Sequence, residues 1–172
     1  MWTNFYIFFT NIRKICGYCI IPIMIVGEYY SEVVYGGVDG LITTFAIISG
    51  SLGADLSQNI ILILGFASLL ADGFSMGISS YLAEKTRPNK KHPLYVGFAT
   101  FISFILLGSL PLMPFVLDTD YSFELAIIIM LSVLFLLGYS KGQLKQGLET
   151  ALIGSGAVIV SFYSARYIKN LM

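Results

Sequence analysis

Polar interruptions divide this 172-residue chain into five long apolar runs, near 33–53, 58–83, 94–117, 122–141 and 147–168. A helix needs about 20 mostly apolar residues to cross a bilayer, and these runs are long enough to do so. The connections between them are short and carry turn chemistry, as in ISGSLGADLSQN and YLAEKTRPNKKHP. No room remains for a separate soluble domain. In hydrocarbon a backbone must satisfy its own N–H and C=O groups, which helices do. The pattern predicts an all-α membrane protein with one bundle of five transmembrane helices over residues 32–172. Residues 1–31 fall outside it. Their apolar stretch is too short to span and Pro22 argues against one continuous helix. They fit an interfacial or unstructured segment, a signal-like segment, or an upstream extension ahead of a start at Met24.

Within the runs, a few polar positions break the apolar pattern. The first run holds Glu32, Tyr35 or Gly36, Asp39 and Thr43 at three-to-four spacing, so they share one helix face. Gly36 and Gly40 form a close-approach pair beside that face, suited to another helix of the same bundle or of a second copy. The second run holds Ser68, Asp72, Ser75, Met76, Ser79 and Ser80, mostly on one stripe, with a second small pair at Gly73 and Gly77. Met76 follows Asp72 by one turn. A carboxylate at membrane depth costs roughly 2.5–3.5 kcal/mol on insertion scales, which makes Asp39 and Asp72 candidate functional residues. The third and fourth runs are plain scaffold, with a kink or an end expected at Pro111 and Pro114. Met113 and Met130 read as ordinary lipid-facing or core methionines. In the fifth, Glu149 either caps the helix N-terminus or lines a pathway, and capping is the stronger reading.

Charge adds an orientation. The chain is formally neutral, but Arg13, Lys14, Lys85, Arg87, Lys90, Lys91, Lys141 and Lys145 gather at one set of turns. The opposite turns carry Asp55, Asp118, Asp120 and Glu124. The positive-inside rule puts the N-terminus and the 85–93 loop in the cytoplasm. Arg166 and Lys169 at the far end run against it. The CGYC pair, Cys16 and Cys19, lacks a βαβ setting or a second ligand pair, and reads as incidental thiols. His92, the sole histidine, sits beside Pro93 at a membrane edge and reads as a solvated side chain. No nucleophile–base pair is available, so an enzyme is not expected.

Two carboxylates and a thioether form a mixed ligand set. Carboxylates alone suit Mg2+, Ca2+ and Mn2+, and a thioether adds preference for softer ions. Asp39 with Met76 therefore suits Fe2+ or Mn2+ as a transported substrate. Metal binds the deprotonated carboxylate, so proton and metal compete for the same oxygens. That competition, at a site open alternately to each side, is what an antiporter requires.

Three stretches, VVYGGVDGLITTFAIISG, LLADGFSMGISSYLAEK and GLETALIGSGAVIV, resemble the first, second and fifth helices of the vacuolar iron transporter family. The similarity covers about residues 31–170, with the DG and SMG elements its most specific marks. It implies a homodimer of five-helix protomers whose pathway runs between the first helices. It also implies exchange of Fe2+, and often Mn2+, for protons, out of the cytosol. On this resemblance Asp39 and Met76 match the acid and the methionine that bind metal within the membrane. Packing through Gly36 and Gly40 would then bring two Asp39 side chains near the two-fold axis. Ser68 stands where better-studied relatives have a glutamate, and Asp72 follows one turn later. The 85–93 loop is a short basic connector where those relatives place a Glu- and Met-rich metal-collecting domain. The partners implied are a transition-metal ion, protons, membrane lipid and a second copy, with no resident cofactor and no nucleic acid. The membrane implied is vacuole-like or another organelle's, and a plasma membrane fits the same residues. A membrane scaffold that keeps the fold without transport is the alternative.

Overall fold

A computed structural model describes residues 27–88, 91–140 and 144–171. The chain divides into two compact units, residues 1–30 and 31–172. In the first, only residues 27–30 are described, and they are largely helical. The expectations for residues 1–26, including Cys16 and Cys19, lie outside the described residues.

The helices are α1 (Tyr30–Gly53), α2 (Gln58–Lys85), α3 (Pro93–Gly108), α4 (Met113–Val116), α5 (Ser122–Tyr139) and α6 (Leu144–Leu171). A 3-10 turn, Leu110–Leu112, joins α3 to α4. Taken with that turn and α4, α3 completes a third span, giving five segments long and apolar enough to cross a membrane. No strand occurs among the described residues. The expected five-helix membrane fold is what the chain adopts.

Local chemistry explains the boundaries. α1 runs to Gly53, after which Asp55 takes a left-handed conformation at φ 54° and Leu56 N–H returns to the Ser51 carbonyl. α2 stops at Lys85 with Thr86 as its cap, two residues before Pro88, which cannot continue a helix. Pro93 opens α3 at a position where its missing N–H costs nothing. Pro111 and Pro114 break the third span as expected, forcing the 3-10 turn and the short α4.

α1 and α3 are the most buried helices. Leu41, Phe45 and Ile48 of α1 meet Ile61 of α2, Leu112, Phe115 of α4, and Ala126, Met130 and Leu134 of α5 in one core. Close helix approaches set the rest. A side chain at Gly36 or Gly40 would overlap the Thr100 or Phe104 carbonyl oxygens of α3. Gly77 of α2 abuts Gly97 of α3, where a Cβ on Gly97 would lie 2.7 Å from the Gly77 oxygen. Gly36, Gly40, Gly77 and Gly97 thus let α1 and α2 approach α3 closely. The Gly36/Gly40 pair is spent inside the protomer, which corrects its assignment to a dimer axis; the simple bundle-packing reading holds.

Two hydrogen bonds tie α6 to the second half of α1: Ser49 Oγ donates to the Val158 carbonyl at 3.0 Å, and Ser161 Oγ to the Ala46 carbonyl at 2.6 Å. The outer side of α6 is bare, with Leu152 72% exposed. Lipid tails are as apolar as Leu, so such a helix needs only one packed stripe.

The turns gather at two ends. At one end, Gln58 Nε2 donates to the Phe115 carbonyl at 2.7 Å and to Asp118 Oδ1 at 3.0 Å. Asp55 there receives a hydrogen bond from Lys169, so the C-terminal cation that runs against the positive-inside pattern has a carboxylate partner. The opposite end holds the start of α1, the end of α2 and the connector before α3, and it contains the candidate site.

Candidate functional site

The α1 face opposite α3 carries the polar residues. Because Gly36 and Gly40 are turned to α3, Tyr35 and Asp39 emerge on the protomer surface, one turn apart, and both are exposed. Thr43, a further turn on, is half-buried. Glu32 begins this face and is buried at 8% exposure. Seven residues separate Glu32 from Asp39, about 10 Å along the helix.

On α2 the stripe is equally ordered. Ser68 Oγ donates to Asp72 Oδ2 across one turn, so the serine orients the acid that follows it. Asp72 and Met76 are both half-buried. Toward the connector, a cleft of about 460 Å³ opens, lined by Glu32, Tyr35, Met76, Ser80, Glu84 and Arg87 among others.

Glu32 and Met76 are therefore brought together at the cleft, and Asp39 of α1 and Asp72 of α2 lie further along the hairpin. Glu149 joins neither group. The helix begins before it, at Leu144, which leaves Glu149 exposed in the second turn of α6. It is too far along to accept from the first-turn N–H groups, and the capping expectation fails for that reason.

The residue that sequence reasoning missed is Glu84. It is 2% exposed, the most enclosed acid among the described residues. Lys91 N–H donates to Glu84 Oε1 at 2.7 Å and Arg87 pairs with Oε2 at 3.1 Å. Lys91 then extends its ammonium to Glu32, 3.1 Å from each carboxylate oxygen, where Ser31 Oγ also donates at 2.9 Å. The signal was in the chain: Asp72, Met76, Ser80 and Glu84 follow one another at four-residue spacing. Glu84 precedes a basic, Pro-containing stretch, and in sequence that setting reads as a loop.

Among the described residues, no three His, Cys, Asp or Glu side chains converge as a metal cluster. A cation in the hairpin would draw on the carboxylates of Asp39 and Asp72, the Met76 thioether and hydroxyls such as Ser68 and Thr43. Hard oxygens with one soft sulfur suit a borderline divalent ion.

Comparison with known proteins agrees with this chemistry. The chain is 26% identical to a vacuolar iron transporter of Toxoplasma gondii, over 67% of this chain and 64% of that protein. It is 24% identical to vacuolar iron transporter 1 of Arabidopsis thaliana, over 84% of this chain and 88% of that protein. A vacuolar iron transporter of Plasmodium falciparum is 40% identical over 65 residues. The chain thus spans less than two thirds of the Toxoplasma relative. The Arabidopsis alignment runs over 219 positions although this chain has 172 residues, so that relative carries extra segments inside the aligned region. No solved structure matches. The VIT family matches residues 30–90 and 83–166, two segments that meet at the end of α2 and its connector. This chain belongs to the VIT family.

Proposed function

We propose that this protein moves a divalent transition metal, Fe2+ with Mn2+ as a second substrate, out of the cytosol across an organelle membrane in exchange for protons. Residues 32–172 are the transporter domain, with the N-terminus and the 85–93 connector on the cytosolic side. The observation that carries this reading is the exposed Asp39, set on a helix apolar enough to span. A carboxylate on that surface cannot rest against lipid without a cost of several kcal/mol. It calls for water, a cation or a second chain.

Each of these has a place in a transporter. A homodimer that covers the exposed α1 face would double the carboxylates and thioethers available to one ion. Proton and metal would compete for Asp39 and Asp72, since each oxygen binds one or the other. The names of the relatives support iron as the cargo.

Fe2+ flux into proteoliposomes, with and without an opposing pH gradient, tests the reading against Asp39→Asn. Flux that needs Asp39 and grows with the gradient supports antiport. Equal flux in a folded Asp39→Asn protein overturns the mechanism. A non-transporting scaffold is the second reading, favoured by one observation: the Glu32 carboxylate at the cleft is already neutralised by Lys91. Absence of flux for Fe2+ and Mn2+ from a folded dimer would select it.

A further inference from the structure

We propose that Lys91 is a tethered competitor of the transported cation. Its ammonium occupies the carboxylate of Glu32, a residue that lines the α1–α2 cleft, and a divalent ion binds there by displacing it. The inference rests on the transport reading and adds the way access to the site is controlled.

The geometry separates an anchor from a movable charge. Glu84 is enclosed and holds the connector by two groups at once, the Lys91 backbone N–H and the Arg87 guanidinium. These contacts fix where Lys91 stands without using its side chain. The side chain reaches Glu32 at 3.1 Å to both oxygens and donates to Ser31 Oγ at 3.5 Å. The Lys91 side chain is 29% exposed and the Glu32 side chain 10%, so water reaches the cation more readily than the acid. A lysine stem has four rotatable bonds and a compact, strongly hydrated head. Swinging it into water leaves its anchor intact and uncovers a buried carboxylate beside Met76 and Tyr35, both of which line the same cleft.

An uncovered Glu32 does not remain bare. A buried carboxylate that loses its partner is costly, so displacement is favourable only when another cation replaces the ammonium. A divalent ion brings twice the charge and can be coordinated by the carboxylate, the Met76 sulfur and hydroxyls together. A monovalent ion brings no such advantage over the resident ammonium. Lys91 therefore discriminates by charge before the cargo reaches Asp39.

The test uses the intact protein in detergent and reads binding apart from flux. Mn2+ is titrated while the unfolding temperature is followed, in wild type, Lys91→Gln, Lys91→Arg, Arg87→Gln and Glu32→Gln. Removing the competitor lowers the half-saturating Mn2+ concentration roughly fivefold, the scale of one partly exposed ion pair. Lys91→Arg stays near wild type. Arg87→Gln, which removes the same charge from Glu84, shifts it by less. In the Glu32→Gln background Lys91→Gln adds nothing. A second measurement needs no variant: Mn2+ increases acylation of Lys91 by a water-soluble amine reagent, read by peptide mass spectrometry. Unchanged Mn2+ affinity in a folded Lys91→Gln protein, or Lys91 labelling indifferent to Mn2+, overturns the proposal. If Mn2+ binds as described and no metal flux is found, the transport reading fails while the competitor stands.

Discussion

Ser68 gives its hydroxyl hydrogen to Asp72 one turn further along α2. A hydrogen bond to a charged group is worth about 1.5–3 kcal/mol, enough to fix one rotamer. Asp72→Asn is expected to remove most metal flux, and Ser68→Ala to reduce it several-fold by freeing Asp72, with Ser68→Thr close to wild type. Initial rates in proteoliposomes decide it. Wild-type rates in Asp72→Asn would take this acid out of the pathway.

The glycine contacts make a stability prediction. A methyl group on Gly40 would overlap the Phe104 backbone, which cannot move without shifting α3. Overpacking of this kind costs about 1–3 kcal/mol. Gly40→Ala is expected to lower the unfolding temperature in detergent while Gly156→Ala, with nothing within 4 Å of the added carbon, does not. Loss of dimer with unchanged monomer stability in Gly40→Ala would return this glycine to a subunit interface.

The five spans were legible because hydrophobic length is a local property, written residue by residue. So were Asp39 and Asp72, since a charge amid apolar residues is conspicuous without knowing its neighbours. Proline positions foretold the break after α3 for the same reason. What Gly36 and Gly40 touch was not legible: small residues announce a close approach, and only the tertiary fold names the partner helix. Glu84 was hidden by its setting, because a helix that continues into a basic stretch looks like a loop. Lys169 runs against the charge pattern of the turns, and its partner Asp55 lies 114 residues earlier, beyond the reach of any local reading.

That last pair has a pH dependence. Asp55 is held below the usual carboxylate range, first by the hydrogen bond from Lys169, then by its charge and that of Arg166, against a small opposing effect of burial. A carboxyl whose folded value is depressed stabilises the fold above its unfolded pKa, about 3.9, and loses that contribution as pH falls through the folded value. Asp55 is fully exposed, so the effect is small and salt-sensitive. Lys169→Gln is expected to lower the unfolding temperature slightly at pH 7 and low salt. The difference from wild type should shrink below about pH 4 and in high salt. A difference that grows on acidification would contradict the pairing.

Met76 tests the identity of the cargo. Its sulfur lines the cleft with Glu32 and Tyr35, one turn beyond Asp72. Leucine keeps the side-chain volume and removes the soft donor, so packing changes little. Fe2+ gains more from a thioether than Mn2+, which is content with oxygen ligands. Met76→Leu is therefore expected to raise the half-saturating Fe2+ concentration roughly tenfold, near the lower end of what disturbing a metal site costs, and to affect Mn2+ less. Competition between the two ions in one proteoliposome assay measures the ratio directly. Equal losses for both ions would mean that Met76 only fills space, and selectivity would then have to come from the carboxylates alone.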